Sequence, residues 1–204
     1  VIDFVRGREM RIRHVAALLS MLGIGAADFL GNSMGGVNLL HDQAADRPLL
    51  PVRRMLVICG GGEILANEHS AALYDYDATL PAMRRIVAAL FHDPAYAQDE
   101  AYVRRRFDMS VLPGAWEAVA AARFARPGGR AGPRSPEPDF SRIAVPTLVV
   151  EGAFDKLKPS GWAAEMARII PGARPAVIDD AGHCPQIEQP VQTLRIIEDF
   201  LDSA

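Results

Sequence analysis

Gly31-Asn32-Ser33-Met34-Gly35-Gly36 sets a serine among glycines, after the apolar residues Ala27, Phe29 and Leu30 and before a helix-compatible stretch at 37–43. A strand, a very tight turn and a helix in that order hold a serine hydroxyl out at the carboxyl end of a sheet, as a nucleophile elbow. So sharp a turn strains the serine backbone and brings the helix onto the strand. A Cβ on Gly31 or Gly35 is therefore expected to clash. A serine hydroxyl is a weak nucleophile at its own pKa. It needs a base of near-neutral pKa to take its proton and a carboxylate to orient that base and stabilise its cation. Three fixed positions recur by accident, so the partners decide the reading.

Of the five histidines, His14 lies on a predicted first helix, His41 on the helix after the serine, and His69 and His92 in the middle of the chain. His183 alone follows a predicted strand, at 176–179, and stands next to a glycine. Asp155 follows the β-branched run 145–151 through Gly152-Ala153-Phe154. Glu151, Asp179 and Asp180 compete for the acid's role, but they read as a strand end and a turn. Ser33, Asp155 and His183 thus each sit just past the carboxyl end of a predicted strand, the edge at which open α/β sheets bind ligands.

The elements that position them alternate between strand and helix. Residues 55–59, Met-Leu-Val-Ile-Cys, form an unbroken apolar run closed by three glycines, which suits a parallel strand buried on both faces. Ile12, Val15, Leu19 and Leu22 recur at helical spacing, predicting an amphipathic helix over 11–22. From 63 to about 128 the pattern turns helical, with Leu80, Met83, Val87 and Leu90 on one stripe and shorter pieces at 99–109 and 114–124. A Pro-, Gly- and Arg-rich stretch at 126–138 reads as a linker. Helices are expected at 162–170 and, with Leu194, Ile197 and Leu201 on one face, at the end of the chain. The fold class is α/β: a mostly parallel, doubly wound sheet with right-handed crossovers. Its core is formed by 1–62 and 139–204, around a helical insertion at 63–138. Only one strand and one helix precede the serine, and an open parallel sheet needs more neighbours than that. With Val1 in first place, the chain reads as the carboxyl-terminal part of a longer protein.

Composition narrows the function classes. The net charge of −3, with acids and bases interspersed, carries no footprint for nucleic acid or a membrane surface. Arg104, Arg105 and Arg106 are the densest basic run and read as a solvated helix face. Two cysteines, Cys59 and Cys184, make neither a disulfide framework nor a metal-ligand spacing, so a reducing cytoplasm is the default. No run approaches the roughly 18 apolar residues of a membrane span, and no signal peptide opens the sequence. The expected partner is a small-molecule substrate, without nucleic acid, membrane, metal or organic cofactor; a homo-oligomer is left open.

The serine, aspartate, histidine order, the Gly-x-x-Asp at Asp155, and Ala181-Gly182-His183 backed by Gln186-Ile187-Glu188-Gln189-Pro190 resemble the α/β-hydrolase superfamily. Within it, the Asn-Ser-Met-Gly-Gly elbow, Met83-Arg84-Arg85-Ile86-Val87 and Phe91-His92-Asp93-Pro94 resemble the meta-cleavage-product hydrolases. Those enzymes hydrolyse carbon–carbon bonds in ring-fission products of aromatic degradation. The resemblance implies that the insertion is a lid and that Arg106 or its neighbour Arg105 binds the dienoate end of a substrate. It also implies that Asn32 lines the pocket beside the serine and that the Met34 N–H faces the oxyanion. Cys184 stands where many such hydrolases have tryptophan, and reads as a small pocket residue rather than a second nucleophile. The loop expected to donate the second oxyanion N–H is not in the sequence. Losing one donor costs roughly 100- to 1000-fold, so these 204 residues alone are expected to be inactive or nearly so. A carboxylesterase or lactonase on the same three residues, and a hydrolase-fold protein that only binds a small molecule, are the alternatives.

Overall fold

A computed structural model describes residues 7–115 and 138–203. Among these residues the sheet has four parallel strands, β1 (Ala27–Asn32), β2 (Val52–Ile58), β3 (Thr147–Gly152) and β4 (Arg174–Ile178), in the order β1-β2-β3-β4. The alternation of a strand decides which residues meet which layer. Met55 and Val57 of β2 and Val149 of β3 pack on one face beneath α2 (Met34–Gln43) and α7 (Trp162–Ile169), through Leu39, Leu40, Trp162 and Met166. Leu56, Ile58, Leu148 and Val150 point the other way, onto Phe200, Ile196 and Ile197 of α9 (Pro190–Ser203). The unbroken apolar run of β2 follows from this, because both of its faces are covered.

The edge strand differs. β1 pairs only with β2 among the described residues, and its Leu30 is 48% exposed. The first helix, α1 (Gly7–Met21), leans on the core through Ile12, Ala16 and Leu19. The stripe expected to be buried, Ile12, Val15, Leu19 and Leu22, is thereby corrected: Val15 and Leu22 are exposed. Only the i, i+4, i+7 row packs on the core, and the apolar residues beside it, Val15, Leu18 and Leu22, are exposed.

Between β2 and β3, in the stretch read as an insertion, α3 (Glu68–Tyr74), α4 (Leu80–Leu90), α5 (Ala95–Gln98) and α6 (Glu100–Ser110) lie over the carboxyl edge of the sheet. Each longer helix starts on a short polar cap: Asn67 with Ser70 in a capping box, Thr79 ahead of Pro81, and Asp99 accepting from the Tyr102 N–H. Met83, Ile86, Val87, Phe91 and Val103 form a separate core here, and Cys184 joins it from the far end of the sequence. The helix expected at 114–124 and the linker at 126–138 lie almost wholly outside the described residues. Among the described residues, no helix is long and apolar enough to cross a membrane.

Candidate active site

Ser33 sits between the end of β1 and the first residue of α2 with φ 51 and ψ −114, a strained conformation for a residue with a Cβ. Its N–H donates to the Ile58 carbonyl at 2.8 Å and its carbonyl accepts from Val37 N–H at 3.0 Å, so neighbouring backbone holds the strain in place. A Cβ on Gly31 would stand 2.5 Å from the Gly35 carbonyl carbon, as expected. The same expectation for Gly35 is corrected, since a Cβ there meets nothing within 4 Å. Gly36 carries the second close approach instead, with Val57 Cγ1 at 2.8 Å and the Gly31 carbonyl oxygen at 2.9 Å. One helical residue further on is the one turned toward the sheet.

The structure brings the three predicted residues together. His183 Nδ1 and Asp155 Oδ2 are 2.7 Å apart, and His183 Nε2 lies 2.8 Å from Ser33 Oγ. A carboxylate only accepts, so Nδ1 carries the proton and donates to Asp155, leaving Nε2 to accept from the serine hydroxyl. Asp155 Oδ1 accepts a second bond from Leu157 N–H at 2.8 Å. The His183 and Asp155 side chains are 5% and 3% exposed, which protects this chain of bonds from competing water.

The competitors are occupied elsewhere. Glu151 is buried and accepts from Gly161 N–H at 3.1 Å and Ala163 N–H at 2.6 Å, at the start of α7. Asp179 and Asp180 lie in an exposed turn. His14 is exposed, His41 meets Arg8 and the edge of Phe140, His69 lies beside Glu68, and His92 stacks on Phe154.

Ser33 and His183 open into a cavity of about 620 Å³, walled by Leu73, Met83, Ile86 and Leu90. Arg105 and Arg106 of α6 line the same cavity, both guanidinium groups lying over the Tyr102 ring at 5.7 and 5.8 Å. Asn32 and Cys184 line it as well, with Cys184 Sγ 4.0 Å from Asn32 Oδ1. Burial pushes the Cys184 thiol up to about 12 against the nearby Arg106 charge, so it stays protonated and is a poor nucleophile. Met34 is the first residue of α2, and its N–H is among the donors that have no partner inside a helix. A depression of about 400 Å³ along 64–75 holds none of these residues.

Three features lay beyond the reading of the sequence. Asn32 Nδ2 donates to the carbonyls of Ile58 at 3.2 Å and His183 at 3.0 Å, tying the elbow to the histidine loop. Glu188 accepts from three backbone N–H groups around the same loop. Cys59, buried and at φ 49, brings its sulfur within 4.8 Å of Asp155 and His183 donor atoms. Cys59, Asp155 and His183 are the one group of metal-ligating types this close among the described residues, and a metal there would have to displace the Asp155–His183 bond. Glu188 had a signal, standing five residues after His183, but the spacing alone names no partner.

Comparison with known proteins bears on the family. The sequence pattern of the alpha/beta hydrolase family matches residues 3–196. A 2-hydroxymuconate semialdehyde hydrolase of Pseudomonas putida is 32% identical over 198 residues, covering 95% of this chain and 68% of that protein. A 2-hydroxy-6-oxo-2,4-heptadienoate hydrolase of Pseudomonas putida F1 is 30% identical over 198 residues, covering 96% of this chain and 70% of that protein. The solved structure of the meta-cleavage product hydrolase CumD from Pseudomonas fluorescens IP01 superposes with a TM-score of 0.80 at 23% identity, covering 96% of this chain and 72% of that one. A pattern that runs over nearly the whole chain, with relatives of this identity, means that the chain belongs to the alpha/beta hydrolase family and resembles its carbon–carbon bond hydrolases.

Proposed function

We propose that the protein is a serine hydrolase whose nucleophile, base and acid are Ser33, His183 and Asp155, acting on a dienoate ring-fission product of aromatic degradation. The observation that carries this reading is the cavity itself, which joins Ser33 and His183 to two arginines across apolar walls. A small acid with an apolar middle matches such a lining, its carboxylate paired with Arg106 or Arg105 and its carbonyl at Ser33. The relatives' substrates, a semialdehyde and a heptadienoate, have that chemistry.

In this mechanism the bound dienol first becomes a keto form, so that the leaving carbon can depart as a stabilised anion. His183 takes the Ser33 proton, Oγ attacks the carbonyl carbon, and the oxyanion meets the Met34 N–H. The carbon–carbon bond breaks as the carbonyl re-forms, and protonated His183 gives its proton to the leaving carbon. Water, deprotonated by His183, then attacks the acyl carbon, and Ser33 Oγ leaves as His183 returns the proton to it. Asp155 holds the imidazole in the tautomer that accepts from serine, and stabilises its cation. The insertion at 63–138 acts as the lid over a core of 1–62 and 139–204, and its apolar wall keeps bulk water from the acyl-enzyme. The two unpaired, buried thiols fit a reducing cytoplasm.

In a protein extended upstream of Val1 to include the loop expected to donate the second oxyanion N–H, a fluorophosphonate probe should label Ser33, with no label on Ser33→Ala, whereas the 204 residues alone should label slowly or not at all. Turnover of a dienoate ring-fission product against a short-chain aryl ester then tests the substrate. A higher kcat/KM on the ester would replace the carbon–carbon reading with a carboxylesterase one. A folded protein that binds the dienoate and leaves the probe unreacted would make it a binding protein.

A further inference from the structure

The loop that carries His183 is held from the insertion as well as from the sheet. Glu188, in the short helix α8 (Pro185–Glu188), accepts from Gly182 N–H at 2.6 Å through Oε2. Through Oε1 it accepts from His92 N–H at 2.7 Å and Asp93 N–H at 2.9 Å, in the turn that follows α4. All three are charge-assisted bonds to backbone, the stronger kind. The two segments are in direct contact beneath it. His183 N–H donates to the Leu90 carbonyl at 2.8 Å, and a Cβ on Gly182 would stand 2.8 Å from the His92 nitrogen. No other side chain among the described residues is seen to bridge the peptide preceding His183 to the insertion.

We propose that Glu188 is a positioning residue that couples the place of the insertion to the alignment of His183. The proposal rests on the reading of Ser33, His183 and Asp155 as the catalytic set. His183 must keep 2.7 and 2.8 Å contacts on its two ring nitrogens at once. A shift of about 1 Å in its backbone breaks one of them, and misplacement on that scale costs on the order of 100-fold in rate. The carboxylate is what the position requires. Gln at 188 has one acceptor oxygen for two segments, and its NH2 group must then face an N–H donor. Asp keeps the charge but shortens the reach by about one 1.5 Å bond, so it can serve only one segment.

The test compares Glu188→Gln and Glu188→Asp with the wild type, all in the upstream-extended protein, in two measurements. In the first, the rate of Ser33 labelling by a saturating fluorophosphonate falls about 10- to 100-fold in both variants, while the concentration for half-maximal rate changes less than about threefold. In the second, amide hydrogen exchange speeds up together at Gly182 and at His92 and Asp93. Full labelling rates in Glu188→Asp would reduce the effect to charge and overturn the bridge. Faster exchange at only one of the two segments would overturn the coupling. If wild-type protein is not labelled at all, the catalytic reading fails, and the exchange measurement alone decides whether Glu188 links the segments.

Discussion

Replacing Asp155 with Asn tests the chemistry of the site at the cost of one oxygen. In the native side chain Oδ2 accepts from His183 Nδ1–H at 2.7 Å and Oδ1 accepts from Leu157 N–H at 2.8 Å. Asn supplies one acceptor and one NH2 donor for two N–H groups. If its oxygen stays with Leu157, the NH2 group faces Nδ1, and His183 must move its proton to Nε2. That nitrogen then donates to Ser33 instead of accepting from it, and the serine has no base. If the oxygen turns to His183, the Leu157 N–H is left facing a donor, which costs about 1–3 kcal/mol for a buried group. The wrong tautomer lowers kcat by roughly 10⁴-fold in serine hydrolases, or about 5 kcal/mol of barrier. The assay is the rate of fluorophosphonate labelling at Ser33, with the thermal midpoint measured alongside. Asp155→Asn should label about 10⁴-fold more slowly with the fold retained. Glu151→Gln serves as the contrast, because Glu151 bonds only Gly161 and Ala163 N–H groups in the described structure. It should lower the thermal midpoint and leave the labelling rate of folded molecules within about twofold. A labelling rate in Asp155→Asn within tenfold of wild type would refute the tautomer argument and Asp155 as the acid.

The remaining expectations concern the elbow, the pocket and the sheet edge. Gly31→Ala should destabilise the fold by about 1–3 kcal/mol through overpacking, whereas Gly35→Ala should be neutral or raise the thermal midpoint, since a helix favours Ala over Gly. Equal losses from both would contradict the elbow geometry. With its thiol pushed up to about 12 by burial, Cys184 exposes a thiolate fraction on the order of 10⁻⁴ at pH 8. Iodoacetamide should therefore leave it intact in native protein and alkylate it on unfolding, as read by mass spectrometry. Arg106→Ala and Arg105→Ala should raise KM for a carboxylate substrate and leave that for a neutral ester unchanged. An equal rise on both substrates would remove the arginines from carboxylate binding. Arg53, and after it Arg54, hold the Asp28 carboxyl well below its ordinary 3.8. Its pairing therefore stabilises the fold above that value, and the contribution is lost as pH falls toward the depressed one. Asp28→Asn should lower the thermal midpoint at pH 6 and converge with wild type in strong acid; a constant gap across pH would refute it.

Much of the site was legible in the chain because the residues concerned obey local rules. A nucleophile needs a sharp strand-to-helix turn, and such a turn leaves glycines in the sequence. A strand covered on both faces leaves an unbroken apolar run such as Met55 to Ile58. A carboxyl strand end followed by a glycine marks where Asp155 and His183 stand. The misreadings were also local. Gly35 was exchanged with Gly36 because a pattern records which residues are small, whereas their direction depends on how α2 meets β2. Val15 and Leu22 fit a helical stripe, but a stripe is buried only where a neighbour lies against it.

Tertiary structure alone decided what spans the chain. Ser33 and His183 are 150 positions apart, and their 2.8 Å contact exists because parallel strands bring their carboxyl ends to one edge. Asn32 reaching the His183 carbonyl, Cys184 joining the insertion's core, and Glu188 gathering N–H groups from 182 and 92–93 are of the same kind. The sequence by itself determined the strands, the elbow and the types of the three side chains that meet there, because hydrophobic period and turn chemistry act over a few residues. The distances among those side chains, and the groups that hold His183 still, belong to the tertiary structure, because they are set by how whole layers pack.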